Sequence, residues 1–274
     1  MTAGRTVTGH DRRSAEDAAT AVPAGALIGR GFARVPGRWP DRLAAWQTAV
    51  AIAACARDRD PLCAGLPALE VVGEFTVPPQ GVVQRDFQAL HIDYGLPKLG
   101  GPPVAVSRFT ALYLDPGRAG SGSATRIVPL RPLLGQRSWP ARAVIRERLC
   151  RDAGEDSLVE GILARIVESA DQSRDLPPQD TDGFACGLEF ATLAEERRYF
   201  AGHGLHLQAA EEELVLSSGE LLLFDNLLTA HGRRGRRHSG ELHQLCIGFP
   251  SLDLPGQTML LDRILTAFDA PSGG

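Results

Sequence analysis

Residues 219–233 read Gly-Glu-Leu-Leu-Leu-Phe-Asp-Asn-Leu-Leu-Thr-Ala-His-Gly-Arg. The apolar run after Gly219 has the length and composition of a short buried strand. Asp225 and Asn226 follow, the residue types whose side chains hydrogen-bond their own backbone in a turn. His231 then arrives at a strand edge, with the apolar run keeping its surroundings dry and the Asp-Asn pair holding the turn and its neighbours in place. A core strand ending at a capped turn is the other reading of these residues.

A second stretch, Leu90-His91-Ile92-Asp93, favours the chemical reading. On an extended strand, residues i and i+2 project from one face. His91 and Asp93 can therefore offer an imidazole nitrogen and a carboxylate oxygen to a single cation. Two ligands at that spacing plus one distant histidine, His231, make the two-histidine, one-carboxylate set that holds iron(II) and leaves coordination positions open. Taken alone, a strand histidine near an aspartate is an ordinary hydrogen-bonded pair; the two stretches together carry the inference.

Outward from these motifs the chain alternates in character. A helix is expected from Asp41 to Arg57, with Leu43, Trp46, Val50 and Ala54 at helical spacing. Strands are expected at 69–77, 82–93, 104–114, 124–130, 213–216, 220–225 and 242–249. Helices are expected at 138–152, 155–171, 192–201 and 257–268. Residues 1–24 are polar and aperiodic and read as a flexible tail, leaving 25–274 as a single domain with a helical insert at about 136–205. The pair Glu195-Glu196 and the run Glu211-Glu212-Glu213 read as solvated faces.

The bulk numbers exclude several classes. At 274 residues, 43% hydrophobic and 23% charged, the chain can bury a full core and suits a globular protein. Its net charge of -4, without a long basic run, gives no footprint for nucleic acid. No stretch of 18 apolar residues and no signal-peptide pattern occurs, so no membrane partner is expected. The cysteines (Cys55, Cys63, Cys150, Cys186, Cys246) are odd in number and lack CxxC spacing, which fits reduced thiols in a cytoplasm. Oligomeric state is not legible.

The order HxD, then a Gly/Ser-rich turn with a threonine, then FDN and HGR, resembles the TauD/clavaminate-synthase-like superfamily of iron(II)/2-oxoglutarate dioxygenases over residues 80–131 and 215–250. The resemblance implies an α+β fold with a double-stranded β-helix (jelly-roll, cupin-like) core, flanking helices and a helical insert. It implies Fe(II) bound by His91, Asp93 and His231, with 2-oxoglutarate and O2 as co-substrates. Ser121-Gly122-Ser123-Ala124-Thr125 resembles the GGxT segment of that superfamily, which gives Thr125 a contact with the 2-oxoglutarate carboxylate; a plain turn before a strand is the rival. Because Asp93 is present, where related halogenases lack the carboxylate, the resemblance implies hydroxylation, desaturation or cyclisation.

One element of the pattern is missing. The superfamily carries an arginine ten to fourteen residues after the distal histidine, whose fork pairs bidentately with a carboxylate. Here that window reads Glu241-Leu242-His243-Gln244-Leu245. Arg237, Arg233 and Arg108 are the basic residues able to replace it, with His243 a weaker substitute; a solvent-facing charge is the alternative for each arginine. The other resolution is an Fe(II) oxygenase independent of 2-oxoglutarate, whose substrate chelates the metal and supplies the electrons. Gln84, Gln88 and Tyr94 lie along the strand entering and leaving HxD and are candidates to line a small-molecule pocket. A non-oxidative cupin-like metal lyase or isomerase is the reading from another class.

Overall fold

A computed structural model of the protein describes residues 9–35, 37–77, 87–91, 104–116, 123–130, 192–202, 206–235 and 242–253, with short helical pieces at 255–256, 259–260 and 263–264. Helix α1 (Gly9–Arg30) leads to strand β1 (Phe32–Val35), helix α2 (Arg42–Arg57) and a 3-10 turn at Pro61–Cys63. Strands β2 (Glu70–Val77), β3 (Phe87–His91), β4 (Val104–Leu114) and β5 (Ala124–Pro129) follow. Helix α3 (Leu193–Gly202), a 3-10 turn at Leu207–Ala209, and strands β6 (Glu212–Val215), β7 (Leu221–Asp225), β8 (Thr229–Arg234) and β9 (Leu242–Leu252) complete the described elements. The class is α+β, and the strand pairings are antiparallel.

The strands form a five-stranded sheet in the order β1-β7-β4-β9-β2 and a four-stranded sheet in the order β3-β8-β5-β6. One face of the larger sheet presents Val35, Phe109, Ala111, Tyr113, Leu221 and Leu223 to Leu27 of α1 and Trp46 and Ile52 of α2. Its opposite face carries Phe32, Leu112, Leu222 and Phe224 against Ile127 of the smaller sheet. Each large side chain buried in these layers contributes roughly 1.5–3 kcal/mol. Strands β4 and β9 lie under helices on one side and between the sheets on the other. That is why their sequences read as near-continuous apolar runs rather than alternations.

The tail expected over residues 1–24 is corrected from residue 9 onward, because Gly9–Arg30 is helical and Ala24 and Leu27 are fully buried. A helix this weak locally, with Pro23 inside it, draws its stability from docking against α2 and the sheet. Strands β1 and β8 were not anticipated either. The helices expected at 138–152 and 155–171, and most of the insert, lie outside the described residues. Of the helix expected at 257–268, Met259–Leu260 and Arg263–Ile264 are helical, with Leu260 and Ile264 fully buried. Among the described residues no helix is long and apolar enough to cross a membrane.

Candidate functional site

The register of β3 against β8 sets residue 91 directly opposite residue 231. In an antiparallel ladder, opposed positions share one face and lie about 4.5–5.5 Å apart at Cα. Two histidines far apart in sequence are thereby made neighbours at one point of the smaller sheet. The His231 ring packs 4.5 Å from the Phe224 ring of the larger sheet, so this face looks into the space between the sheets. His231 itself is 7% exposed.

The same face carries the other candidates in adjoining rows. Thr125 on β5 is the register partner of Arg233 on β8, and Gln88 on β3 is the partner of Arg233 on its other side. Arg233 is buried and donates to the Gly235 carbonyl, whereas Thr125 is half-buried and Gln88 exposed. Opposite them on the larger sheet, Thr110 is the register partner of Phe224 and of Cys246. Its buried Oγ1 has no hydrogen-bond partner among the described residues. Gln244, partner of Leu112 on the same face, is also buried. Asp93, Gln84, Tyr94 and Arg237 lie outside the described residues. Among those described, no cluster of three His, Cys, Asp or Glu side chains forms a metal cage.

Arg108 is engaged elsewhere, which corrects its expected role as a counter-charge for a ligand. It is 2% exposed, donates to Asp60 Oδ2 through Nη2 at 2.7 Å and through Nε at 3.2 Å, and pairs through Nη1 with Asp225. Burial alone lowers its pKa, but Asp225 and Asp60 more than offset this and hold it charged. Asp225 Oδ1 also accepts from the backbone N–H groups of Leu227 at 3.0 Å and Leu228 at 2.9 Å. Asp225 therefore does hold the turn that delivers β8. Gly31 braces the same turn: its carbonyl accepts from Asp225 N at 2.7 Å and from Thr229 Oγ1 at 3.2 Å. A Cβ at Gly31, where φ is +88°, would meet Thr229 Oγ1 at 2.6 Å.

His243 faces the helix side of the larger sheet. It stacks on Tyr113, its Nε2 lies 3.0 Å from Asp115 Oδ2, and its Nδ1 lies 3.2 Å from Thr76 Oγ1. It is a paired strand histidine. The inward position of its strand belongs to Gln244.

Two of the charges assigned to solvent are buried instead. Glu196 is fully buried and pairs with Arg126, itself fully buried, at 2.6 Å; Glu211 takes Arg126 Nε at 2.6 Å and Arg197 Nη2 at 3.0 Å. Burial raises the Glu211 pKa, but the hydrogen bonds from Arg126 and Arg197 outweigh it and hold the carboxyl below its usual range. Arg126 lies opposite Gly232 on β8, on the reverse of the histidine face. Only an alternation argument on β5, putting Arg126 on the face opposite Thr125, was available to find it.

No family model matches the chain, and no curated protein sequence matches it. The solved structures to which it is similar include non-haem iron oxygenases. One is PvcB, described as an Fe, alpha-ketoglutarate dependent oxygenase from an isonitrile synthetic pathway, with TM-score 0.48 and 12% identity over 86% of this chain and 82% of that chain. A second PvcB structure, from Pseudomonas aeruginosa, gives 0.46 and 14% over 86% and 84%. The non-heme iron oxygenase OrfP gives 0.41 and 13% over 85% and 79%.

Proposed function

We propose that this protein is a non-haem Fe(II)-dependent dioxygenase with a jelly-roll core, coupled to 2-oxoglutarate and oxidising a small polar metabolite or natural-product intermediate. The observation that carries the reading is the pairing of residues 91 and 231 across β3 and β8, facing the space between the sheets. Asp93 follows residue 91 at the i+2 spacing of a second ligand. This donor set, two imidazoles and one carboxylate, suits iron(II) and leaves coordination positions for co-substrates. Iron bound there would supply dioxygen activation coupled to decarboxylation of the 2-oxoacid and oxidation of a substrate C–H bond.

The chain's own contribution is orientation and exclusion of water. Of the three replacements for the missing arginine, Arg233 has the supporting geometry, because it is buried and lies directly across from Thr125 on the histidine face. We assign the distal carboxylate of 2-oxoglutarate to the guanidinium of Arg233 and the hydroxyl of Thr125. Thr110 adds a buried hydroxyl on the facing sheet, placed to meet a polar group of a bound molecule. Gln88, with Gln84 and Tyr94, is assigned to the substrate side.

A second reading rests on Gln244, which stands where the superfamily pattern calls for arginine. In that reading the substrate itself chelates iron, and Arg233 binds a substrate carboxylate. Anaerobic addition of Fe(II), then 2-oxoglutarate, separates the two. The first reading expects a visible charge-transfer band from the chelated 2-oxoacid, requiring much more 2-oxoglutarate in Arg233→Leu. Turnover without 2-oxoglutarate and with no such band would overturn it in favour of the second. Oxygen uptake that depends on substrate would exclude a non-oxidative lyase or isomerase, whereas turnover with no oxygen consumed would leave only that reading.

A further inference from the structure

We infer that Glu196 is a positioning residue for the metal ligand at His91, acting through the backbone of Leu90; this rests on the site reading above. Strand β3 is an edge strand of the smaller sheet among the described residues, paired with β8 alone. Its register slips between Gln88 and His91: three steps along β3 match two along β8, from Arg233 to His231. Such a bulge leaves a backbone N–H without a ladder partner and sets which side chains face inward beyond it. Because side chains alternate, a slip of one residue would send position 91 to the opposite face from His231.

The N–H at this bulge is that of Leu90, and its partner is the Glu196 carboxylate, Oε2 at 2.8 Å. The other oxygen, Oε1, takes Arg126 Nη2 at 2.6 Å. Gly232, opposite Arg126 on β8, has no side chain to obstruct this bridge from β5 to β3. One carboxylate thus ties the edge strand to the interior of its own sheet, directly behind the two histidines. The carboxylate is anchored in turn. Glu196 lies in the first turn of α3, where its backbone N–H bonds the Thr192 carbonyl at 3.1 Å and Thr192 Oγ1 caps Glu195 N at 3.2 Å. Arg126 is shared with Glu211, which Arg197 of α3 also holds.

A fully buried charged network is a poor way to add stability alone, since an apolar replacement of the same volume commonly does as well. Specifying register is the use to which such networks are best suited, and here the register in question fixes a ligand position.

The test compares Glu196→Gln, Glu196→Asp and Glu211→Gln in the full chain. Gln at 196 keeps one acceptor oxygen for two donors; the charged Arg126 takes it, which turns the amide NH2 toward the Leu90 N–H. Asp keeps the charge but is too short to reach both partners. Glu211→Gln perturbs the same network without touching Leu90. Co(II) binding under anaerobic conditions reads affinity and, through its d–d spectrum, coordination geometry. Exchange of the Leu90 amide in metal-free protein reads the bulge itself. Both Glu196 variants are expected to bind Co(II) about 10–100-fold more weakly with an altered spectrum. Their Leu90 amide should exchange faster, while Glu211→Gln keeps the wild-type spectrum and exchange. Wild-type binding with unchanged spectrum and affinity in the two Glu196 variants overturns the inference alone, as does an equal effect of Glu211→Gln. If the wild type takes up no Co(II), the site reading falls and the role of Glu196 in ligand placement falls with it. Should Glu196→Gln fail to fold, Glu196→Asp carries the comparison.

Discussion

Asp225 serves both sides of the molecule. It neutralises Arg108, and it accepts the two amides that shape the turn into β8. Burial pushes its carboxyl pKa up, with Arg108 opposing and Asp60 reinforcing that rise. Truncation to alanine would strand a buried guanidinium and two turn amides together. Asp225→Ala is therefore expected to lose about 3–5 kcal/mol in urea unfolding, and to bind iron more weakly because His231 follows that turn; a loss below 1 kcal/mol (roughly the value of an exposed pair) would refute the hub role. Cys63 belongs to the same cluster, its Sγ 3.4 Å from Asp60 Oδ2. Burial pushes its thiol pKa up to about 12, against the pull of Arg108. The native protein should leave Cys63 unalkylated by iodoacetamide in mildly alkaline buffer and release it only on denaturation, as mass mapping would show; rapid labelling of the native chain would contradict this. His91, His231 and Asp225 are candidates in the sequence because they sit in motifs with fixed spacing. Arg126, Glu196 and Thr110 do not, since their roles come from a partner on another strand or helix.

Among elements, β4 and β9 were readable to within a few residues because both faces of each are buried, so apolar content marks their whole length. Their ladder also has a steric requirement. At Gly248 a Cβ would come within 1.9 Å of the Val106 carbonyl oxygen, next to the irregular step between Ser107 and Phe109. Gly248→Ala should cost on the order of 1–3 kcal/mol as the two strands part, seen as a lower melting temperature; a variant as stable as the wild type would show the approach to be soft. Strand β8 was hidden for the opposite reason. Its sequence, Thr-Ala-His-Gly-Arg-Arg, is chosen for what each face must hold: an imidazole and a guanidinium inward and, at Gly232, no side chain behind. Strand propensity has little to read there. Helix α1 escaped because its sequence before Pro23 is polar and alanine-rich with no apolar period, and β1 because four residues with an exposed arginine give no period.

Across the whole molecule, the ion pairs that staple strands and helices together make stability depend on acid. Burial alone would raise the Glu220 pKa, but the Ser217 amide and Arg34 outweigh it and hold the carboxyl low; Glu211 is held low in the same way. A carboxylate with a depressed folded pKa stabilises the fold above its unfolded pKa and loses that contribution as pH falls through the folded value. Unfolding free energy, measured in urea at successive pH values, should therefore drop below the usual glutamate range, and more shallowly in Glu220→Gln; an identical slope in the variant would contradict the assignment. The architecture around these staples brings residues 91 and 231 to one point between two sheets, and the account stands on that convergence together with Asp93. Its most direct test is equilibrium dialysis of Fe(II) under argon against the wild type and the alanine variants at 91, 93 and 231. One iron per chain, lost in all three correctly folded variants, is the predicted result. Iron retained at wild-type affinity by His231→Ala would contradict it.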